Sequence, residues 1–398
     1  QLADVLKPAM KIAREGYVVA DVIADMWRRE ETKLKNDKDA KRVFLKNDKA
    51  YRVGEIHKQE QLADTLENIA KNGREGFYGG YVADDIVNKV KKLGGNLTQE
   101  DLINFQAEYV NPIKIDYNGY EVYECPPNGQ GIVALMMLNM LSNINFTKYD
   151  PSDYRRIHIE AEVSKLAFLH RNKYLGDPKF SDIPVEKMLS KDYGLYLSKK
   201  IKETSVLQNL DIRKLENNKD TVYISIVDNK GNFVSFINSI FHPFGSGKVT
   251  ENTGILLHNR GASFNLDNNH PNFFAASKKP MHTIIPGLLM KNNKPIMPFG
   301  VMGAHYQPVG QTHFLTNVLD YGMDVQMALD HSRSFYYENH LILEKSISLE
   351  SYDKLEKLGH KINYCDIPHG GGQAVYLKKN GVLVGGSDPR KDGLALGF

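Results

Sequence analysis

The sequence has few cysteines and no excess of charge of either sign. Its 398 residues include two cysteines, Cys125 and Cys365, which lie far apart and lack CxxC spacing. This excludes a disulfide framework and a structural zinc site, and it predicts that both thiols are buried as small apolar side chains. Lys and Arg number 51 against 48 for Asp and Glu, a net charge of +3. Without a basic field, we expect no nucleic-acid partner.

Long apolar runs are also missing, so no membrane span is expected in this stretch. The sequence opens on Gln1-Leu2-Ala3-Asp4, which has neither an initiator Met nor the features of a signal peptide. Helical spacing of apolar residues follows almost at once, so we expect the sequence to begin inside a helix of a longer gene product. The compartment, cytoplasmic or secreted, stays open.

Helical periodicity dominates the first quarter, and hairpin signals dominate the rest. Helices are predicted over 6–14, 22–31, 59–70, 81–93, 132–141, 154–171, 311–319 and 324–330, with a short strand over 42–45 and a charged, mostly helical stretch over 191–216. Strand pairs are predicted over 113–117 with 120–125, 284–290 with 295–299, and 373–377 with 382–384. Several hairpins separated by long helices indicate a layered α+β protein with largely antiparallel sheets.

One further hairpin organises the sequence. Two β-rich runs, 222–227 and 233–237, flank the turn residues 228–232, and Thr221 opens the first strand after a polar run over 216–220. On pattern alone, a hydroxyl at a strand tip is most often a strand cap. The glycine-rich loop 126–131 also has two interpretations, an anion-binding helix start or a plain strand-to-helix connection, of which the connection is the more common.

A set of short motifs lies along the chain: Lys7-Pro8-Ala9, the segment 73–78, Pro126-Pro127 with its glycines, the segment 173–178, Asp220-Thr221, the segments 244–247, 253–257 and 300–307, and the segment 386–390. Taken in this order, they resemble the γ-glutamyltranspeptidase family of N-terminal nucleophile hydrolases over nearly the whole chain. Within that family, the sequence Asn-Arg-Gly at 259–261 resembles the branch of cephalosporin acylases and related γ-glutamyl hydrolases.

The resemblance implies a four-layer αββα sandwich made as an inactive precursor. Self-cleavage between Asp220 and Thr221 would yield a small subunit, residues 221–398, and a large subunit whose C-terminal part is residues 1–220, both in one αββα unit. It further implies hydrolysis or transfer of γ-glutamyl amides such as glutathione, or of related glutaryl-type N-acyl amides, without cofactor or metal. A homodimer of such heterodimers is left open.

The resemblance also assigns the catalytic residues. Thr221 matches the nucleophile, because an N-terminal threonine carries both a hydroxyl and its own α-amine as base. The reference pKa of an α-amine, about 7.7 to 8.0, suits that role. Ser239 matches a second hydroxyl, normally threonine, that orients the nucleophile. The predicted glycine loop 300–304 matches the family's oxyanion hole, in which Gly303 and Ala304 represent the paired glycines whose amides receive the oxyanion.

Substrate-binding positions show departures from the family pattern. Ser263 stands where the family has an acidic residue for the substrate ammonium group, and Phe241 stands where it has asparagine. Arg260 replaces a common glutamine and is expected to supply a cation, whereas the arginine for the α-carboxylate would lie upstream of Gln1. His282-Thr283 occupies the position of a small polar pair, and His282 either lines the site or is structural. We therefore expect amide hydrolysis ahead of transpeptidation.

A different class of function competes with this one. A homologue that has lost self-cleavage would serve as a binding or scaffold protein. The number of chains on a denaturing gel distinguishes the two, because an active enzyme gives two bands.

Overall fold

A computed structural model describes residues 1–208 and 220–398. The chain divides into two compact units, Gln1–Tyr109 with Ile240–Asn259, and Val110–Ser239 with Arg260–Phe398. The polar run 216–219 and the last part of the predicted helical stretch, 209–216, lie outside the described residues.

The first unit is mainly helical. Its elements are α1 (Leu2–Glu15), β1 (Tyr17–Val18), α2 (Asp21–Arg29), α3 (Glu31–Lys35), α4 (Lys38–Phe44), β2 (Ile56–His57), α5 (Glu60–Asn72), α6 (Glu75–Tyr78), α7 (Gly80–Lys92) and α8 (Gln99–Asn104). Thr98 and Asp101 form the predicted capping box of α8. The single tryptophan, Trp27, is buried among aromatic rings and donates a 2.8 Å hydrogen bond to the carbonyl of Phe44.

The prediction of a strand over 42–45 is wrong, because this stretch completes helix α4. The side chain of Asp37 accepts a hydrogen bond from the amide of Ala40, which caps the helix. Ala40 and Phe44, one helical turn apart, are both buried against the core. The β-branched and aromatic residues suggested a strand, but the cap and the four-residue spacing decide the structure.

The second unit contains the main sheet and its covering helices. Its elements are β3 (Ile113–Tyr117), β4 (Tyr120–Glu124), α9 (Gly131–Leu141), α10 (Tyr154–Tyr174), α11 (Val185–Leu189), α12 (Lys191–Ser198), β5 (Asp220–Val227), β6 (Phe233–Phe241), β7 (Gly287–Lys291), β8 (Lys294–Met302), α13 (Gln307–Leu319), α14 (Val325–Asp330), β9 (Ser334–Tyr337), β10 (His340–Leu343), α15 (Leu349–Lys357), β11 (Ile362–Tyr364), β12 (Gly371–Leu377) and β13 (Leu383–Ser387).

Six strands form an antiparallel sheet in the order β13-β12-β8-β7-β4-β3, as the hairpin signals predicted. The turn between β3 and β4 is Asn118-Gly119, and both residues have positive φ angles of 53° and 78°. A second sheet, β11-β10-β9, was missed from the sequence, and it includes a parallel pair, β10 with β11.

Strand β8 presents different residues to its two faces. Phe299 stacks on Phe314 of α13, so this face of the sheet is covered by helices. On the other face lies the hairpin of β5 and β6. The hydroxyl of Ser225 donates a 2.8 Å hydrogen bond to the carbonyl of Pro298, and a side chain at Gly300 would overlap the ring of Tyr223. The order of layers here is helix, sheet, hairpin.

Two predicted boundaries need correction. Residues 300–302 were predicted as part of a glycine loop, but they are the last residues of β8, because they pair with 371–373 of β12. Of the stretch 191–216, the described residues are helical over Lys191–Ser198 and form turns and irregular backbone over 199–208.

Neither cysteine forms a disulfide, and both are half-buried, less enclosed than the sequence predicted. Among the described residues, no helix is long and apolar enough to cross a bilayer.

The packing of the hairpin on β8 predicts the effect of a methyl group at Gly300. We expect Gly300→Ala to destabilise the protein by about 1–3 kcal/mol, because the new Cβ displaces the ring of Tyr223 and with it the hairpin. Thermal unfolding should show a lower melting temperature. Gly261→Ala is the control, because a Cβ at Gly261 meets open space. Equal melting temperatures for the two variants would contradict this account of the packing.

Candidate active site

Thr221 and Ser239 are hydrogen-bonded neighbours on the paired strands β5 and β6. The hydroxyl of Thr221 donates to Oγ of Ser239 over 3.0 Å. Thr221 is 7% exposed and is the second residue of β5. The two hydroxyls that the sequence singled out are therefore in contact, and the nucleophile candidate is buried rather than at an open strand tip.

The same hairpin carries Thr221 towards the end of β8. The contacts of Ser225 with Pro298 and of Tyr223 with Gly300 advance by two residues on each strand. The next step in this series brings Thr221 level with Met302, the last residue of β8. Gly303 and Ala304 follow directly, so this register brings Thr221 level with the start of the predicted oxyanion loop.

The loop after β8 is a tight turn with a strained backbone. Gly303 has φ 136° and ψ 34°, and Ala304 has φ 49°, in the left-handed region. This conformation costs a non-glycine residue about 1–2 kcal/mol. Hydrogen bonds offset that cost: the amide of Tyr306 donates to the carbonyl of Gly303 over 2.9 Å, and the amide of Gln307 donates to the carbonyl of Ala304. A turn held this way can keep its amides fixed in direction.

Arg260, Thr283 and Ser263 form a second group of predicted site residues. Nη1 of Arg260 donates to Oγ1 of Thr283 over 2.7 Å, and Arg260 is 5% exposed. Burial lowers the pKa of the guanidinium to about 10, so it remains a cation at neutral pH. Its low dielectric surroundings strengthen its attraction for an anionic ligand.

The hydroxyl of Ser263 faces backbone carbonyls. It donates to the carbonyl of Arg260 over 2.9 Å and to that of Met281 over 3.0 Å. Its position is thus acceptor-rich although it has no carboxylate. Asn272 ties the same segments together, since its side-chain amide donates to the carbonyl of Ser263 and its oxygen accepts from the amide of Met281.

The segment that carries His282 and Thr283 is fixed by its main chain. The amide of His282 donates to the carbonyl of Asn128, and the carbonyl of His282 accepts from the amide of Gln130, both over 2.9 Å. Upstream, Asp177 accepts from the amide of Lys279 over 2.7 Å. The glycine loop 126–131 is therefore a connection that pairs with the site segment, and the amide of Gln130 serves a carbonyl there.

Three polar residues that the sequence did not single out hold this region together: Gln130, Arg171 and His305. The side-chain amide of Gln130 donates to the carbonyls of Thr283 and Ala304, each over 2.9 Å. Nη1 of Arg171 donates to Oε1 of Gln130 over 3.0 Å and to Nδ1 of His305 over 2.9 Å.

A sequence signal for Arg171 did exist. It lies three and four residues after the buried Phe168 and Ala167 of α10, so it occupies the apolar face of that helix. Gln130 precedes a helix whose every residue is buried, which leaves its side chain no route to solvent. A charged or amide side chain forced into the core must find partners there.

Among the described residues, one buried group has the composition of a metal site: His158, Glu162 and His360. Its charges are already balanced, because Nζ of Lys165 lies 2.5 Å from the carboxylate of Glu162. The imidazoles of His158 and His360 are hydrogen-bonded to each other over 2.8 Å. We therefore assign this group to the packing of α10.

Comparison with known proteins places this chain in a family. The model of the Gamma-glutamyltranspeptidase family matches residues 1–398. The chain is 36% identical to the glutathione hydrolase-like YwrD proenzyme of Bacillus subtilis, covering all of this chain and 77% of that protein. It is 32% identical to the glutathione hydrolase proenzyme of Escherichia coli, covering all of this chain and 72% of that protein.

A solved structure gives the same answer for the fold. The cephalosporin acylase of Bacillus halodurans superposes with a TM-score of 0.91 at 39% identity, over 99% of this chain and 74% of that one. The predicted α+β fold of N-terminal nucleophile hydrolases is thereby confirmed. By sequence and by fold, the chain belongs to the γ-glutamyltranspeptidase family.

Proposed function

We propose that this chain is a self-cleaving amide hydrolase that acts on γ-glutamyl or glutaryl-type N-acyl amides through an acyl-enzyme on Thr221. The observation that carries the proposal is the hydrogen bond from Thr221 to Ser239 at the start of β5. The names of the relatives support it, since they include glutathione hydrolase proenzymes and a cephalosporin acylase.

Self-cleavage would use the hydroxyl of Thr221 against its own preceding carbonyl. Oγ1 attacks the carbonyl carbon of Asp220, and the C–N bond to Thr221 breaks as the nitrogen takes up a proton. The resulting ester is hydrolysed by water. The products are a carboxylate at Asp220 and a new α-amine on Thr221, which gives a large subunit ending at Asp220 and a small subunit of residues 221–398.

Turnover would then use the new amine as base. It removes the proton of Oγ1 as this oxygen attacks the acyl carbon of the substrate. The amides of Gly303 and Ala304 receive the oxyanion. One such donor typically lowers the activation barrier by about 2.7–4 kcal/mol. The proton passes to the leaving amine, and water attacks the acyl-enzyme to release the acid. Ser239 holds Oγ1 in the direction of attack.

The other end of the acyl group would face Arg260, Ser263, His282 and Thr283. The buried cation of Arg260 suits a terminal carboxylate, for which a guanidinium can offer two parallel hydrogen bonds. Ser263 offers hydroxyl and nearby carbonyl oxygens to an ammonium group but no opposite charge. We infer that an acyl group without the amine fits this site better than γ-glutamyl does.

The nucleophile can be tested through cleavage. We expect Thr221→Ala to remain one intact chain on a denaturing gel, because the attacking hydroxyl is gone. Thr221→Ser, which keeps the hydroxyl, should give two bands like the wild type. N-terminal sequencing of the small fragment should begin at residue 221. A wild-type protein that stays uncleaved would favour the binding or scaffold role, and a fragment beginning elsewhere would displace Thr221 as nucleophile.

The role of Ser239 predicts a loss of rate. Ser239→Ala removes one hydrogen bond, about 0.5–1.5 kcal/mol, so kcat should fall roughly two- to tenfold in cleaved protein. Ser235→Ala is the matched control: this hydroxyl lies on the same strand and bonds Tyr223 and the carbonyl of Phe299. It should alter stability but not kcat. Equal kcat values for the wild type and Ser239→Ala would remove Ser239 from the mechanism.

Specificity is tested by charge at position 263. We expect the wild type to have a higher kcat/KM for glutaryl anilide than for γ-glutamyl anilide. Ser263→Asp should move the ratio towards γ-glutamyl by about tenfold or more, about 1.4 kcal/mol, because the ammonium gains a counter-charge. Ser263→Asn, the neutral isostere, is the control and should not do so. A native preference for γ-glutamyl that Ser263→Asp leaves unchanged would place amine recognition elsewhere.

A further inference from the structure

The inference concerns how the two parts of the site keep their relative position. One part is the oxyanion loop, represented by Ala304, and the other is the segment of Thr283, which holds Arg260. A single side chain joins them: the carboxamide of Gln130 donates to the carbonyl of Ala304 and to the carbonyl of Thr283, each over 2.9 Å. Both hydrogens of one amide group are thus used to bridge two backbone segments.

The anchor of this bridge is rigid. Gln130 is the N-cap residue of α9, all of whose residues are buried. Its amide donates to the carbonyl of His282, and its carbonyl accepts from the amide of Val133. The main chain of Gln130 is therefore held at both ends. A side chain that starts from such a point has little freedom to follow a moving loop.

Arg171 fixes the orientation of the carboxamide. Its Nη1 donates to Oε1 of Gln130 over 3.0 Å, which leaves the NH₂ group to face the two carbonyls. Nη1 also lies 2.9 Å from Nδ1 of His305, the residue after Ala304, and Nε and Nη2 both donate to Oδ1 of Asn172. Reversing the amide would set its NH₂ against a guanidinium and its oxygen against two carbonyls. Arg171 excludes that arrangement.

We propose that Gln130, oriented by Arg171, is a positioning residue that sets the distance and angle between the oxyanion loop and the substrate-binding segment. It acts through the peptide that joins Ala304 to His305. Ala304 is in the left-handed region, and its carbonyl accepts from two donors, the amide of Gln307 and the carboxamide of Gln130. Losing the second donor would leave the carbonyl held within the turn alone, so the neighbouring amides would be less fixed in their direction towards the oxyanion. The catalytic consequence rests on the proposed function, whereas the positioning itself does not.

Two substitutions separate donation from volume. Gln130→Ala removes the bridge and leaves a cavity. Gln130→Glu keeps the volume and the acceptor for Arg171, but it places carboxylate oxygen opposite two carbonyls. In cleaved protein, we expect both variants to lower kcat about tenfold or more, with KM changed less than about threefold. We expect KM to change little because the hydrogen bond from Arg260 to Oγ1 of Thr283 does not involve Gln130.

The matched control is Asn317→Ala. Asn317 is also a fully buried carboxamide of the second unit, and it donates to the carbonyl of Ala328 over 3.2 Å. This variant should lower the melting temperature while kcat per cleaved molecule stays at the wild-type value. If the kcat of Gln130→Glu and Gln130→Ala matches that of Asn317→Ala, Gln130 only stabilises the fold, and the inference is overturned.

Hydrogen exchange gives a readout that needs no activity. The amides of Tyr306 and Gln307 report on the turn, because they donate to the carbonyls of Gly303 and Ala304. In the peptide covering residues 300–307, exchange should quicken in Gln130→Ala and Gln130→Glu but not in Asn317→Ala. Unchanged exchange overturns the positioning role. The two proposals can fail separately. If exchange is faster in the Gln130 variants but the wild type hydrolyses neither glutaryl nor γ-glutamyl anilide, the positioning role is supported and the proposed function is rejected.

Discussion

The close approach of the β5–β6 hairpin to strand β8 is the constraint on which the site depends. Gly300 has no side chain, so the ring of Tyr223 lies directly against the strand, and Ser225 reaches the carbonyl of Pro298. This contact fixes the level of β5 along β8. It therefore fixes which residue of β5 meets the loop after β8, and a slip of two residues would present a different side chain there. Gly300, three residues before Gly303, thus determines which residue of β5 lies beside that loop.

Buried polar side chains inside the second unit fix the orientation of backbone groups, which apolar contacts alone do not. An apolar contact is tolerant of direction, whereas a hydrogen bond to a backbone carbonyl fixes an angle as well as a distance. Gln130 and Asn272 bind backbone groups of the site segments, and Arg171 binds the side chains of Gln130 and His305. Burying them has a desolvation cost, which their hydrogen bonds offset. These hydrogen bonds fix the positions of main-chain carbonyls and, through them, of the neighbouring amides, which are the groups that an oxyanion site uses.

Local signals predicted the hairpins and most helices, because turns such as Asn118-Gly119 and caps such as Thr98 act within a few residues. They failed where an alternative pattern competed, as in helix α4, and where another element separates the paired strands, as α15 separates β10 from β11. The family resemblance named Thr221, Ser239 and Ala304, and the structure adds their contacts. The partners of Gln130 and Arg171 could not be predicted from the sequence. A polar residue at a buried position indicates that it has hydrogen-bond partners but not which residues they are.

Position 263 offers oxygen atoms to a ligand but no negative charge. The hydroxyl of Ser263 gives its one hydrogen to backbone carbonyls, so towards a ligand it presents oxygen, as a carboxylate would. An ammonium group can therefore find acceptors here, but it finds no formal negative charge, and the cation of Arg260 lies in the same segment. At low dielectric, that missing charge outweighs the hydrogen bonds that remain. On the proposed role of position 263, selection between acyl groups is thus electrostatic, because oxygen atoms line the position with serine or with a carboxylate and only their charge differs.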